Sequence, residues 1–177
     1  MLTFVLRNHK GLTLIEILIV IILMGIIAAV AVPRIAPSTQ EASTNTLDTN
    51  LAALRNAIEQ YAAQHNGRFP GQYKETDGTT AVTTDTEAAT AFAAQLTQYS
   101  DKNGKTSAAK DAVNFPLGPY FRGGVPKNPL PTASNTVVAD FDELGNIANT
   151  GAAGGSGWKV AVQTGQIVAN NDQYDDR

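Results

Sequence analysis

Residues Leu12 to Val32 read LTLIEILIVIILMGIIAAVAV, an apolar run broken by one charge, Glu16. At about 1.5 Å of rise per residue, a helix of this length matches a hydrocarbon core of about 30 Å, so the run is expected to span a membrane. A lone carboxylate in such a helix costs about 2.5–3.5 kcal/mol if it reaches the bilayer centre. No basic residue stands inside the run, so compensation has to come from elsewhere. A cut between Gly11 and Leu12 would create an ammonium, and the ammonium of a neighbouring copy could sit against Glu16.

Two kinds of amino-terminal processing fit the flanks. Arg7 and Lys10 precede the apolar run, and Ala29-Val30-Ala31 has the A-x-A form of a conventional secretory cleavage site. That reading would leave a secreted soluble enzyme or binding domain. Against it, a charge stands inside the run, and the run exceeds the roughly 7–15 residues of a signal-peptide core. In either case the basic flank predicts a cytoplasmic amino end with the rest of the chain delivered outside.

Lys10-Gly11-Leu12-Thr13-Leu14-Ile15-Glu16, followed by the apolar run, resembles the processing site of type IV pilins and of the pilin-like subunits of type II secretion. The resemblance implies that a prepilin peptidase cuts after Gly11, that Leu12 becomes the methylated first residue, and that Glu16 sets filament register. Phenylalanine or methionine is commoner than leucine at the first position. Gly25 and Pro33 fall where the family often places a helix-loosening glycine and a proline. The match is strong over about the first thirty-five residues. It implies an organisation of leader (1–11), membrane and assembly half of a long helix (12–33) and periplasmic globular domain (34–177). The implied partners are further copies of the chain, minor pilin-like subunits, the prepilin peptidase and an inner-membrane assembly platform.

With 177 residues, one modest domain follows the span, and much of the 43% hydrophobic content is taken up by the span itself. Removing residues 1–11 takes away Arg7 and Lys10 and no acid, which moves the formal charge from −3 to −5. No basic footprint for nucleic acid is present. Cysteine is absent, which excludes a disulfide framework. Many type IV pilins close a carboxyl-terminal loop with such a bridge, so the absence leans toward the secretion-system relatives.

Beyond Pro33 a long helix is expected to continue, with a kink or a locally melted turn at Pro33 and a repeat of the disturbance at Pro37. Leu47, Leu51, Leu54, Ile58 and Tyr61 form one stripe, and Asp48, Asn56 and Glu59 lie opposite. Asn66-Gly67 marks the stop, and Pro70 follows. Thr84-Asp85-Thr86-Glu87 has the form of a capping box, which predicts a short helix with Ala88, Phe92, Leu96 and Tyr99 inward. Residues 101–110 read as an exposed loop, and the proline-rich stretch 115–129 as an ordered loop against the helix. Strands are expected at Val137–Phe141, Trp158–Gln163 and Gln166–Ala169, with Thr164-Gly165 as a two-residue hairpin turn. The glycine-rich stretch 145–157 reads as a flexible connection. The expected fold class is α+β, a long helix whose outer half covers a small antiparallel sheet in a ladle. Family relatives often read GW, then TG and an asparagine, as Gly157-Trp158, Thr164-Gly165 and Asn170 do.

Candidates for chemistry are few. The two histidines, His9 in the leader and His65 at a helix end, have no cysteine and no evident triad partner, and His65 reads as a solvated residue favoured by the helix dipole. Residues 151–157 lack the Gly-Lys-Ser/Thr ending of a phosphate cradle. Asp140, Asp142 and Glu143 offer closely spaced hard oxygens of the kind calcium takes, although the pattern is not an EF-hand, and a solvated acidic turn is the alternative. The acidic tail, Asp172, Asp175 and Asp176, reads as disordered.

Overall fold

The computed structural model describes residues 13–148 and 150–176, with backbone alone for 29–38. Gly11, Leu12, His9 and the leader lie outside the described residues. The chain divides into two units between Ala42 and Ser43. Helix α1 (Leu14–Gln64) contributes to both. The second unit adds α2 (Asp85–Thr97) and the strands β1 (Tyr99–Ser100), β2 (Thr106–Ser107), β3 (Val137–Asp140), β4 (Trp158–Ala161) and β5 (Gln166–Ala169).

In the first unit, the backbone of α1 is helical without interruption through Pro33 and Pro37. The melted turn expected at Pro33 is therefore absent. Each proline removes one backbone donor, but its fixed φ of about −65° is itself helical.

In the second unit, the predicted stripe is the core of α1: Leu47, Leu51, Leu54, Ile58 and Tyr61 are all buried, while Asp48, Asn56 and Glu59 are exposed. The helix ends as its sequence dictates. Asn66 adopts φ 59°, and the Gly67 N–H donates to Ala62 O at 2.9 Å, the bond of a Schellman cap. Thr84 caps α2, its hydroxyl accepting from Glu87 N at 3.2 Å. The reciprocal bond is displaced by one residue: the Glu87 carboxylate takes the N–H and O–H of Thr83, and also Lys74 Nζ at 2.7 Å. The Lys74 ammonium, then Thr83, hold the Glu87 carboxyl down at about 2. Ala88, Phe92 and Leu96 point inward as predicted, but Tyr99 has left the helix for β1 and is half-buried.

The stripe of α1, the inner face of α2 and Ala139, Trp158, Val160, Ile167 and Ala169 form one core cluster. Alternate strand residues, Ala161 and Val168, meet Ile147 on the other face of the sheet. β4 and β5 are antiparallel, but β3 and β4 are parallel, so the three-stranded sheet is mixed rather than antiparallel. The connection 141–157 is long enough for the crossover that a parallel pair requires. Between β4 and β5 the register leaves residues 162–165 as a four-residue loop, not the two-residue turn expected. A type I′ turn needs positive φ at both central residues; Gly165 has φ 71° and the β-branched Thr164 does not. A Cβ on Gly165 would stand 2.5 Å from the Phe69 ring.

Three segments read as loose or solvated are held. The expected loop 101–110 contains β2, paired with β1, and the buried Gly104. The tail closes over the glycine-rich connection: Asp175 Oδ2 accepts from Gly151 N at 2.8 Å, Asn170 Oδ1 from Ala152 N, and Asn171 Nδ2 donates to Gly155 O at 3.2 Å. Asn170, Asn171 and Asp175 are buried, so neither the tail nor the connection behaves as the sequence reading expected. Backbone groups shut away from water must be paired, and this loop has no strand partner to pair them. The proline-rich segment packs as predicted: Trp158 Nε1 donates to Pro126 O at 2.8 Å, Asn50 Nδ2 to Lys127 O at 2.7 Å, and Tyr120 Oη to Gln64 Oε1 at 2.6 Å.

His65 is the clearest correction. It is fully buried, stacked on Tyr61 with centroids 3.7 Å apart, and bonded at both ring nitrogens. Nδ1 lies 2.8 Å from Tyr61 O, a pure acceptor, so Nδ1 carries the proton and Nε2, 3.0 Å from Ser100 Oγ, accepts. Burial lowers the His65 pKa below its ordinary value and raises that of Tyr120 to about 12.

Leu54→Ala should destabilise the second unit by about 2–5 kcal/mol in denaturant unfolding followed by the fluorescence of Trp158, whereas Leu144→Ala, at an exposed turn, should stay within about 0.5 kcal/mol. Because the unfolded His65 binds a proton more readily than the folded one, stability should be complete above a pH of about 6.5 and decline as pH falls below it. His65→Phe should abolish that decline; an unchanged pH profile would place its origin elsewhere.

Candidate assembly site

Among the described residues the apolar run presents a surface without a partner. Between Leu14 and Ile27 every large apolar side chain is exposed, from Leu18 at 45% to Leu14 at 85%. A helix apolar all round is stable only where something apolar covers it. Among the described residues no helix is long and apolar enough to cross a membrane. Leu12 and the side chains of Ala29–Val32, both parts of the expected span, lie outside the described residues.

Glu16 already has a use within its own chain. Its Oε2 accepts from Thr13 N at 2.7 Å and Thr13 Oγ1 at 2.9 Å, while Glu16 N lies 3.3 Å from Thr13 Oγ1. Thr13-x-x-Glu16 is thus a reciprocal capping box at the start of α1. The sequence carried this signal, the S/T-x-x-E form ahead of an apolar run, although the charge itself pointed only to a neighbouring copy. Among the described residues Glu16 Oε1 takes no hydrogen bond, so one carboxylate oxygen closes the helix end and the other is open to a second cation.

Among the described residues nothing stands within 4 Å of where a Cβ on Gly25 would lie, so no contact there calls for a glycine. Pro33 lies where backbone alone is described. The acidic candidates are not drawn together: among the described residues no group of three or more acids or histidines converges as a metal would require. Asp140 Oδ1 accepts from Glu143 N at 3.2 Å and Glu143 Oε1 from Gly145 N at 2.5 Å, so both carboxylates serve the turn after β3. His65 is engaged at both nitrogens in the core.

One comparison with known proteins falls on this amino-terminal region. The family model described as the prokaryotic N-terminal methylation motif matches residues 6–32. The type II secretion system core protein G of Aeromonas hydrophila is 33% identical over 64 residues, covering 36% of this chain and 44% of that protein. The type IV narrow pilus major component of Thermus thermophilus is 43% identical over 58 residues, covering 33% and 50%. The type IV major alpha-pilin of Moraxella bovis is 33% identical over 109 residues, covering 57% of this chain and 67% of the pilin. The chain thus spans about half the length of the first two relatives. No solved structure matches it. A methylation motif on an apolar helix, with a pilin relative matched across two thirds of its length, places this chain in the family of type IV pilins and type II secretion pseudopilins.

Proposed function

We propose that this chain is a structural subunit of a type IV pilin-like filament, a pseudopilin of a type II secretion system acting in extracytoplasmic protein secretion. The observation that carries the reading is the exposed apolar helix with its single, half-satisfied carboxylate. Cut after Gly11 by a prepilin peptidase and methylated at Leu12, the subunit rests in the inner membrane with its amino end cytoplasmic and its second unit periplasmic. An assembly platform then lifts it into a filament with other copies and minor pilin-like subunits. Apolar side chains exchange lipid for neighbouring helices, and Gly25 allows close approach between them. Contacts that do not close generate the filament.

Glu16 fixes the register. Its Oε2 keeps the capping bond to Thr13, and Oε1 takes the Leu12 ammonium of the next copy. A carboxylate left without that cation in a dry bundle costs several kcal/mol, so misaligned copies are rejected. The role is structural, and no residue is assigned to catalysis. A second reading, a type IV pilus subunit serving adhesion, twitching or DNA uptake, is favoured by the longest of the three alignments, the one with the alpha-pilin. Loss of an exported substrate on deletion supports the first reading, and loss of surface pili the second.

Glutamine preserves a capping box but carries no charge. Glu16→Gln and Glu16→Ala should therefore both reduce filament yield, counted by electron microscopy from cells that overproduce the subunit, by at least about tenfold, the scale of a lost buried ion pair. Wild-type yield from Glu16→Gln would reduce the residue to a helix cap.

A further inference from the structure

Opposite charges in the second unit lie on opposite flanks of α1. Asn50 holds the carbonyl of Lys127, and Gln64 the hydroxyl of Tyr120, so the segment 120–127 runs along one flank. Arg55 stands five residues after Asn50, about 140° around the helix. Its Nη2 lies 3.3 Å from Ile167 O, which fixes β5 on the other flank. Beside β5 an open groove of about 360 Å³ is lined by Glu59, Asp176, Asn146 and Gln166, with Arg55 turned onto the strand. The first flank carries Arg122 and Lys127, both exposed. Arg122 stands at a projecting turn, where a Cβ on Gly123 or Gly124 would meet nothing within 4 Å.

Among the described residues Arg122, Lys127, Glu59 and Asp176 make no ion pair. The Lys74–Glu87 ion pair lies far in sequence from both flanks. Between 102 and 127 five exposed cations face Asp101 and Asp111, whose carboxylates are already taken by the N–H groups of their own turns. Between 140 and 176 six acids face one lysine, Lys159, bonded to Thr150.

We propose that the Arg122–Lys127 turn of one copy seats in the Glu59–Asp176 groove of the next copy. Because the basic projection and the acidic groove lie on opposite flanks, one two-fold axis does not bring both pairs together, so the contact is heterologous and, where its rotation does not close, propagates. It sets which way neighbouring subunits face and leaves axial position to Glu16. The contact rests on the filament reading, but it belongs to the periplasmic unit and can fail independently. Charges at the edge of an interface act mainly on orientation and partner choice.

The chain has no cysteine, so a pair can be introduced without background. In filaments of the full chain, Lys127→Cys with Asp176→Cys should oxidise to a ladder extending beyond dimers, and neither single variant should do so. Arg122→Glu with Lys127→Glu should lower filament yield about tenfold, and Glu59→Lys with Asp176→Lys in the same chain should restore it. A missing ladder, equal cross-linking by a single variant, a yield within about twofold of wild type, or failed restoration would each overturn the contact. Glu16-dependent wild-type filaments alongside any of these results would retain the filament reading. Absence of wild-type filaments would end both.

Discussion

A carboxylate in an apolar helix is the constraint from which the rest of this molecule follows. Residues 12–32 have no stable place in water, and Glu16 has none in hydrocarbon unless its charge is met. The capping box with Thr13 meets part of that need inside the chain, through Oε2 alone. In the proposed filament the remaining oxygen would give assembly its selectivity: lipid can cover the apolar side chains as well as another helix can, but lipid tails cannot supply an ammonium. A bundle of copies can supply both, and only in the register that brings the two groups together.

The second unit solves a different problem with few apolar residues. Its core is one face of α1, one face of α2 and alternate residues of a mixed sheet. Around that core, order depends on side chains closing irregular backbone. Asn128 donates to Gly157 O at 2.7 Å and accepts from Leu130 N at 2.9 Å, while Asn170, Asn171 and Asp175 hold the glycine-rich connection. Among the described residues no buried side-chain nitrogen or oxygen lacks a hydrogen bond. The Gly157-Trp158, Thr164-Gly165 and Asn170 positions acquire meaning here. Gly157 has φ 81°, and a Cβ there would collide with the Thr136 carbonyl, so the position calls for glycine. Gly165 ends the β4–β5 loop, and the N–H of Asn170 returns to Gly157 O at 3.0 Å.

Periodic signals were legible and long-range ones were not. The stripe from Leu47 to Tyr61, the Asn66-Gly67 stop, the Thr84 cap and the three strand positions could be read because each depends on residues within one or two turns of one another. The direction of β3 could not, since strand pairing is decided by where a seventeen-residue connection returns rather than by the strand's own residues. His65 reads as a helix-end residue until Ser100, thirty-five positions on, proves to lie against its ring. The tail reads as disordered because its polar residues have no local partner; their partners are the backbone groups of residues 151–157. At the assembly site the charge of Glu16 drew notice to a neighbouring copy and away from Thr13, three residues back.

The most direct test is a filament structure by electron cryo-microscopy that resolves the amino-terminal residues. The account predicts a chain beginning at Leu12, with its nitrogen within about 4 Å of Glu16 Oε1 on the adjacent copy and Thr13 still bonded to Oε2. A Glu16 carboxylate that contacts only its own Thr13, with the neighbouring amino terminus directed elsewhere, would contradict it.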